Sequence, residues 1–245
     1  MAITEQEPLQ TLQSGLGTNG FAVVPGIFTS QEVAAMIREI ERADSLKETF
    51  RKSAGLFAIR QFLKEIPAIH RLIFNARLKQ LITQLLGSRY FVVKSIYFDK
   101  PAASNWFVSY HQDLTISVDQ RIEVPGFGPW TMKQHQFAVQ PPVSFLENIF
   151  TLRIHLDDTN AANGALSVVP GSHRKGIYRP EHIDWAVEKE HTCCVPEGGV
   201  MIMKPLLLHS SERTRNGRSR RVIHIEFSDR ELPNGLKWVE RLPVL

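Results

Sequence analysis

Thr151-Leu152-Arg153-Ile154-His155-Leu156-Asp157 is the stretch whose reading decides the fold. Apolar and polar residues alternate with a period of two. Leu152, Ile154 and Leu156 share one face and the polar side chains share the other, as in a strand with two unlike faces. The same alternation returns in Arg221-Val222-Ile223-His224-Ile225-Glu226-Phe227. Upstream, Tyr90-Phe91-Val92-Val93-Lys94-Ser95-Ile96-Tyr97-Phe98 is rich in aromatic and β-branched residues, which favour strand. Residues 165–171 read as a strand running into a turn, and residues 198–203 as a turn running into a strand. Short strands separated by such turn signals point to a sandwich or barrel, with a jelly roll as the natural closure.

Before residue 88 the pattern changes. Phe21-Ala22-Val23-Val24-Pro25 reads as a short strand, and residues 1–20 as a loose lead-in. Thr29-Ser30-Gln31-Glu32 is a capping box, followed by Val33, Met36, Ile37 and Ile40 at helical spacing. Pro67 opens a second helical stretch through Ile69, Leu72, Ile73, Leu78, Leu81, Ile82 and Leu85, closed by Gly87. Residues 44–66 carry no assignable pattern. The expected architecture is therefore mainly β with flanking helices. A helical part (about 1–88) packs on a jelly-roll core (about 89–230), in one domain over residues 1–245. Residues 117–147 show no convincing periodicity and are punctuated by Pro125-Gly126, Gly128-Pro129 and Pro141-Pro142. Long irregular segments in compact domains are usually functional, and Phe127, Trp130 and Phe137 argue against disorder, so a lid loop is expected here.

Composition narrows the function classes. With 43% hydrophobic and 22% charged residues, the chain can bury a sizeable core. A formal charge of +4 is too small to argue for nucleic acid by itself. The two cysteines, Cys193 and Cys194, are adjacent and imply neither a disulfide framework nor a zinc–cysteine cluster. Met1-Ala2-Ile3-Thr4-Glu5 has neither a basic nor an apolar leader region, and no apolar run approaches the roughly 20 residues of a membrane span. A cytoplasmic protein without a membrane partner is expected.

The chemistry gathers around Tyr110-His111-Gln112-Asp113. On a strand, His111 and Asp113 would project to one side, two thirds of a facial triad that holds ferrous iron and leaves coordination positions open. The best third ligand is His209, in Leu206-Leu207-Leu208-His209-Ser210. Together with Asn163-Gly164-Ala165-Leu166-Ser167-Val168-Val169-Pro170-Gly171-Ser172-His173, and with Arg220 eleven positions after His209, these residues resemble the phytanoyl-CoA dioxygenase family over about residues 90–228. That resemblance implies an iron(II)- and 2-oxoglutarate-dependent oxygenase that consumes O2, built on a double-stranded β-helix, cupin-like core.

It further implies metal ligands at His111, Asp113 and His209, and an Arg220 salt bridge to the distal carboxylate of 2-oxoglutarate. Arginine suits that task because its planar fork grips a carboxylate through two hydrogen bonds. Ser211 matches a family position that binds the same carboxylate. Trp130 and Ile96 resemble walls of the co-substrate pocket. Arg221 follows Arg220 directly, so a one-residue slip would exchange their roles. His173 and the 163–173 turn are read as scaffolding. His135, Gln134, Phe137, His155 and His224 are candidate contacts to a small, possibly anionic substrate. Arg213, Arg215, Arg218, Arg220 and Arg221 form a basic run without interleaved aromatics, better read as a solvated loop plus one committed arginine than as a nucleic-acid surface. The expected reaction is hydroxylation of an unactivated C–H bond with release of succinate and CO2. Asp113 fills the position that related halogenases leave to chloride. The alternatives are desaturation, demethylation or cyclisation on the same fold, or a cupin-like protein that binds a metal or ligand without turnover.

Overall fold

A computed structural model describes residues 6–43, 50–53, 56–101, 107–133 and 136–244. In chain order the elements are α1 (Gln6–Thr18), β1 (Phe21–Val24), α2 (Ser30–Glu41), β2 (Phe50–Ser53), β3 (Leu56–Arg60), α3 (Phe62–Glu65), α4 (Ile69–Ile73) and α5 (Ala76–Leu86). Then follow β4 (Phe91–Lys100), β5 (Val108–His111), β6 (Ile116–Val118), β7 (Trp130–Lys133), β8 (Gln136–Val139), α6 (Val143–Leu146) and β9 (Phe150–His155). The chain closes with β10 (Leu166–Val168), β11 (His191–Cys193), β12 (Val200–Met203), β13 (His209–Ser211) and β14 (Arg220–Ser228).

Local signals explain the helices. The capping box starts α2: the Thr29 side chain accepts from the Glu32 amide, and the Glu32 carboxylate accepts from the Thr29 amide at 2.8 Å. Val33, Met36 and Ile40 are then buried together on one stripe. The stretch after Pro67 is two helices and not one. Asn75 takes extended angles and its side chain accepts from the Leu78 amide, so α5 begins with its own cap. The lead-in contains α1, whose residues after Gly15 turn into β1.

The strands form a jelly roll, as the alternation predicts. One sheet runs β1-β12-β9-β14-β4-β3-β2, and a second runs β11-β10-β13-β5. The paired strands are antiparallel. The helical third therefore also supplies strands: β1 completes one edge of the large sheet, while β3 and β2 extend the other from the unassigned stretch. Leu152, Ile154, Ile223, Ile225 and Phe227 point to one side of the large sheet and pack against the helices through Val33, Met36, Ile69, Ile73 and Leu78. At about 25 cal/mol per Å² of apolar surface removed from water, this layer is the main stabilising contact of the N-terminal helices. The opposite face is polar in sequence yet also buried. Arg153, Arg220 and His224 line a cavity shared with the second sheet, and His155 and Glu226 on the same face are buried as well. A polar face so enclosed has to be matched by partners or by a ligand.

Residues 117–147 are more ordered than their sequence suggests. Strands β6, β8 and β7 form an antiparallel sheet of their own, followed by α6. Ile116, Val118, Val124, Phe127 and Val139 build a second core with Phe91, Val93, Leu236 and Trp238. Strands of three or four residues are too short to show a period, so only the tertiary packing reveals them.

Candidate active site

His111 ends β5 and His209 begins β13, and the two are cross-strand partners with ring centroids 4.2 Å apart. Each ring is fixed in the same way. His111 Nδ1 donates to the Ser109 carbonyl at 2.9 Å, and His209 Nδ1 donates to the Leu207 carbonyl at 2.9 Å. A carbonyl can only accept, so both Nδ1 atoms carry the proton and both Nε2 atoms keep a lone pair. Asp113 lies just beyond β5, where the expected strand has already ended; its amide donates to the Pro205 carbonyl at 2.9 Å. That bond brings its carboxylate within 3.8 Å of His209 Nε2. The ligand atoms of His111, Asp113 and His209 all fall within 4.8 Å of one another.

Electrostatics suit a cation. Burial pushes the His209 imidazole down to about 4, reinforced by His111 and Arg153 and opposed by Asp113, so the ring is neutral at pH 7. Burial alone would raise the Asp113 carboxyl, but its coupling to the His209 and His224 imidazoles and to the Lys94 ammonium outweighs burial and holds the group well below the usual carboxylate range. Two imidazoles and one carboxylate are a donor set for a divalent first-row metal.

Gln112, between the two motif residues, was not singled out by sequence. It faces away from the cavity, donates to the Leu206 carbonyl at 2.6 Å and the Gly176 carbonyl at 2.9 Å, and accepts from the Tyr178 amide at 2.8 Å. It thus ties the His111–Asp113 segment to the segment that leads into His209.

The three residues open onto a cavity of about 230 Å³ between the two sheets. The large sheet contributes Phe98, Lys100, Arg153, Arg220, Val222 and His224. The small sheet contributes Val108, Leu166, Ser210 and Ser211 beside the histidines. Arg220 donates to the Gly164 carbonyl through Nη1 and to Ser211 Oγ at 3.1 Å through Nη2; Ser211 Oγ also donates to the Gly164 carbonyl at 3.0 Å. Arg220 Nε is buried with no partner among the described residues. A buried guanidinium held only by neutral groups is a seat for an anion, and so fits a dicarboxylate.

Arg221 points to the other face of β14. Its Nε and Nη2 fork onto Asp157 at 3.0 and 2.6 Å, so it is committed to a structural pair. Arg213, Arg215 and Arg218 are exposed. The 163–173 turn does more than scaffold, because the Gly164 carbonyl is what Arg220 and Ser211 share.

Other expected residues fall differently. His224 lines the cavity, with Nδ1 3.2 Å from Arg153 Nη1 and Nε2 3.1 Å from Glu226 Oε1. His155 shares the Arg153 face but is not part of the lining; its Nδ1 meets Thr159 Oγ1 at 2.8 Å. Ile96 lies on the Phe98 face of β4, also outside the lining. Trp130 and Phe137 do not wall the cavity. They pack into the second core, with the Arg121 guanidinium 5.8 Å from the Trp130 ring, because the small β6-β8-β7 sheet buries its aromatics there. Gln134 and His135 lie outside the described residues. Sequence reading missed Arg153, Lys100 and Phe98. Arg153 carried a usable signal, a charged residue on the inner face of a strand whose outer face is wholly apolar.

Comparison with known proteins agrees with this geometry. The chain is 28% identical over 167 residues to the ectoine dioxygenase of Bordetella parapertussis, a match covering 65% of this chain and 47% of that protein. It thus spans about half the length of that relative, and the same holds for the ectoine dioxygenase of Bordetella bronchiseptica. Among solved structures it resembles EctD from S. alaskensis with 2-oxoglutarate and 5-hydroxyectoine, with a TM-score of 0.69 and 19% identity over 93% of this chain and 78% of that one. The epimerase SnoN in complex with Fe3+, alpha ketoglutarate and nogalamycin RO gives 0.68 and 17% identity over 97% and 95%. Both likenesses establish the fold. Residues 16–222 match phytanoyl-CoA dioxygenase (PhyH). The chain belongs to the phytanoyl-CoA dioxygenase family of iron- and 2-oxoglutarate-dependent oxygenases.

Proposed function

We propose that this protein is an iron(II)- and 2-oxoglutarate-dependent oxygenase that hydroxylates a C–H bond of a small molecule. The observation that carries this reading is one cavity holding both halves of the required chemistry. Two Nε2 lone pairs and the Asp113 carboxylate converge at one side, and the buried Arg220 fork stands in the same lining. His111, Asp113 and His209 would hold the metal, and Arg220 with Ser211 the distal carboxylate of the co-substrate. Bound iron and 2-oxoglutarate supply the oxidising chemistry when O2 enters.

The chain's own residues do the rest. The Ser109 and Leu207 carbonyls orient the two imidazoles before any metal arrives, so binding costs little reorganisation. Val108, Leu166, Val222 and Phe98 provide the apolar walls that keep water from the reacting centre. Asp113 would give the metal a carboxylate ligand where a halogenase would take chloride, which favours hydroxylation over halogenation. The scaffold also carries an epimerase and a carbocyclase among its structural relatives, so product analysis decides between hydroxylation and other outcomes.

The test is anaerobic titration of the apoprotein with iron(II) and 2-oxoglutarate, following the visible charge-transfer band of the chelate. The band should form in the wild type, vanish in His209→Ala and need at least tenfold more co-substrate in Arg220→Ala. Iron binding without any band in the wild type would sink the reading and favour a protein that binds metal without turnover.

A further inference from the structure

The cavity contains a second buried guanidinium that the proposed chemistry leaves idle. Arg153 lies on β9 as the cross-strand partner of His224 on β14, four residues beyond Arg220 along the same strand. At about 3.3 Å per residue the two arginines are anchored roughly 13 Å apart along the large sheet. Arg153 sits at the metal end, where the field of Asp113 acts on it.

Its side chain is held by a chain of partners that reads in one direction. Lys94 pairs with Glu226 at 2.8 Å, Glu226 accepts from His224 Nε2, and His224 Nδ1 therefore accepts from Arg153 Nη1 at 3.2 Å. That contact occupies only Nη1. Nε is buried without a partner, and no ion pair of Arg153 occurs among the described residues. The Nε–Nη2 edge is thus unused by protein, and it is the same edge with which Arg221 forks onto Asp157. A guanidinium fork that is fixed from behind, desolvated and left unmatched at its gripping edge is built for a carboxylate.

Charge points the same way. The lining holds three cations, Lys100, Arg153 and Arg220, against the single carboxylate of Asp113. An iron(II) ion adds two positive charges and 2-oxoglutarate brings two negative ones. The loaded cavity keeps an excess of two positive charges, a field that a further anion would relieve.

We propose that Arg153 is a second carboxylate seat beside the metal, filled by a carboxylate of the primary substrate after 2-oxoglutarate has taken Arg220. This rests on the oxygenase reading and adds the substrate class, a small carboxylic acid oxidised near its acid group.

Acetate is the probe, because it offers the carboxylate and nothing else. The full chain is loaded with manganese(II) and saturating 2-oxoglutarate, and 13C-carboxyl acetate is titrated while its paramagnetic relaxation is followed; acetamide and a zinc(II)-loaded sample are controls. In the wild type the acetate carbon should relax faster, saturably and only with manganese. In Arg153→Gln this should weaken at least tenfold, with 2-oxoglutarate affinity by calorimetry staying within about threefold of wild type. Arg153→Lys, which keeps the charge without the fork, should fall between the two and covers the case in which Arg153→Gln does not fold. Equal relaxation in wild type and variants, or none in the wild type, overturns the proposal. A loss of 2-oxoglutarate affinity beyond threefold also overturns it, by assigning the seat to the keto-acid end of the co-substrate itself. Failure of the oxygenase reading is seen separately, as a wild type that does not bind 2-oxoglutarate in the presence of metal.

Discussion

Gly164→Ala tests whether the turn before β10 is part of the co-substrate clamp. Gly164 sits at φ +79°, in the left-handed region, and a Cβ there would lie 2.4 Å from the Glu212 carbonyl oxygen and 3.0 Å from Lys100 Nζ. The left-handed backbone costs an alanine about 1–2 kcal/mol. The overlap with a backbone carbonyl cannot be relieved by rotating a side chain, and forced shifts of this kind add about 1–3 kcal/mol. A total near 3 kcal/mol would lower the melting temperature by roughly 6–12 °C in a chain of this size. The functional effect follows from the carbonyl of the same residue, which accepts from both Arg220 and Ser211. Moving it releases the guanidinium, and losing one well-placed bond to a charged group costs about 1.5–3 kcal/mol, or roughly 10- to 150-fold in 2-oxoglutarate affinity. Calorimetry on the metal-loaded protein and a thermal melt measure the two effects. Gly17→Ala is the control, since it lies in α1 with nothing within 4 Å of its Cβ position. It should leave co-substrate binding unchanged and raise stability slightly. Should Gly164→Ala melt within about 1 °C of wild type and bind 2-oxoglutarate normally, the clamp geometry argued above is wrong.

Two other residues give independent checks. Glu240 is buried against Ser95 of β4, and burial pushes its carboxyl up to about 7 although the Ser95 amide and hydroxyl both donate to it. The protonated form is favoured on folding. Its stabilising contribution is therefore fully present below about pH 4.5 and is lost as pH rises to 7, by at most about 3 kcal/mol. Denaturant melts at pH 5 and pH 8 should show a loss in wild type that is smaller in Glu240→Gln; parallel losses would refute the assignment. Gln112→Ala removes three hydrogen bonds from the His111–Asp113 segment, one to Leu206 on the approach to His209 and two to the 176–178 segment. Manganese affinity, read by electron paramagnetic resonance of the free ion, should weaken about 10- to 100-fold, as for other partners that position metal ligands. An unchanged affinity together with a lowered melting temperature would make Gln112 a stability residue only.

How much was legible in sequence depended on how local each signal is. The capping box of α2 is complete within four residues and formed as read, while Asn75 broke the following helix through an equally local cap that the apolar spacing concealed. The three residues of the candidate triad, His111, Asp113 and His209, do come together, although their geometry does not come from strand alternation alone. Asp113 has left the strand and is placed by the Pro205 carbonyl. Trp130 was expected in the co-substrate pocket from the family resemblance, and Phe137 was a candidate substrate contact in the expected lid. In the fold both are partly buried against a second core that includes Phe91, Val93 and Trp238, a packing set by tertiary contacts that the local sequence does not show.

The sequence by itself determined the jelly roll, the flanking helices and the residue types of the candidate site, His111, Asp113, His209 and Arg220. Alternation, capping and residue chemistry are properties of neighbours along the chain, so they are written in order. Only the tertiary structure decided that Arg220 faces the cavity while Arg221 pairs with Asp157, that Gly164 lends its carbonyl to the clamp, and that Arg153 stands unmatched beside the metal residues. Each depends on which face of a strand the second sheet covers. That is settled by register between segments 50 residues or more apart, where a shift of one residue would exchange the two faces.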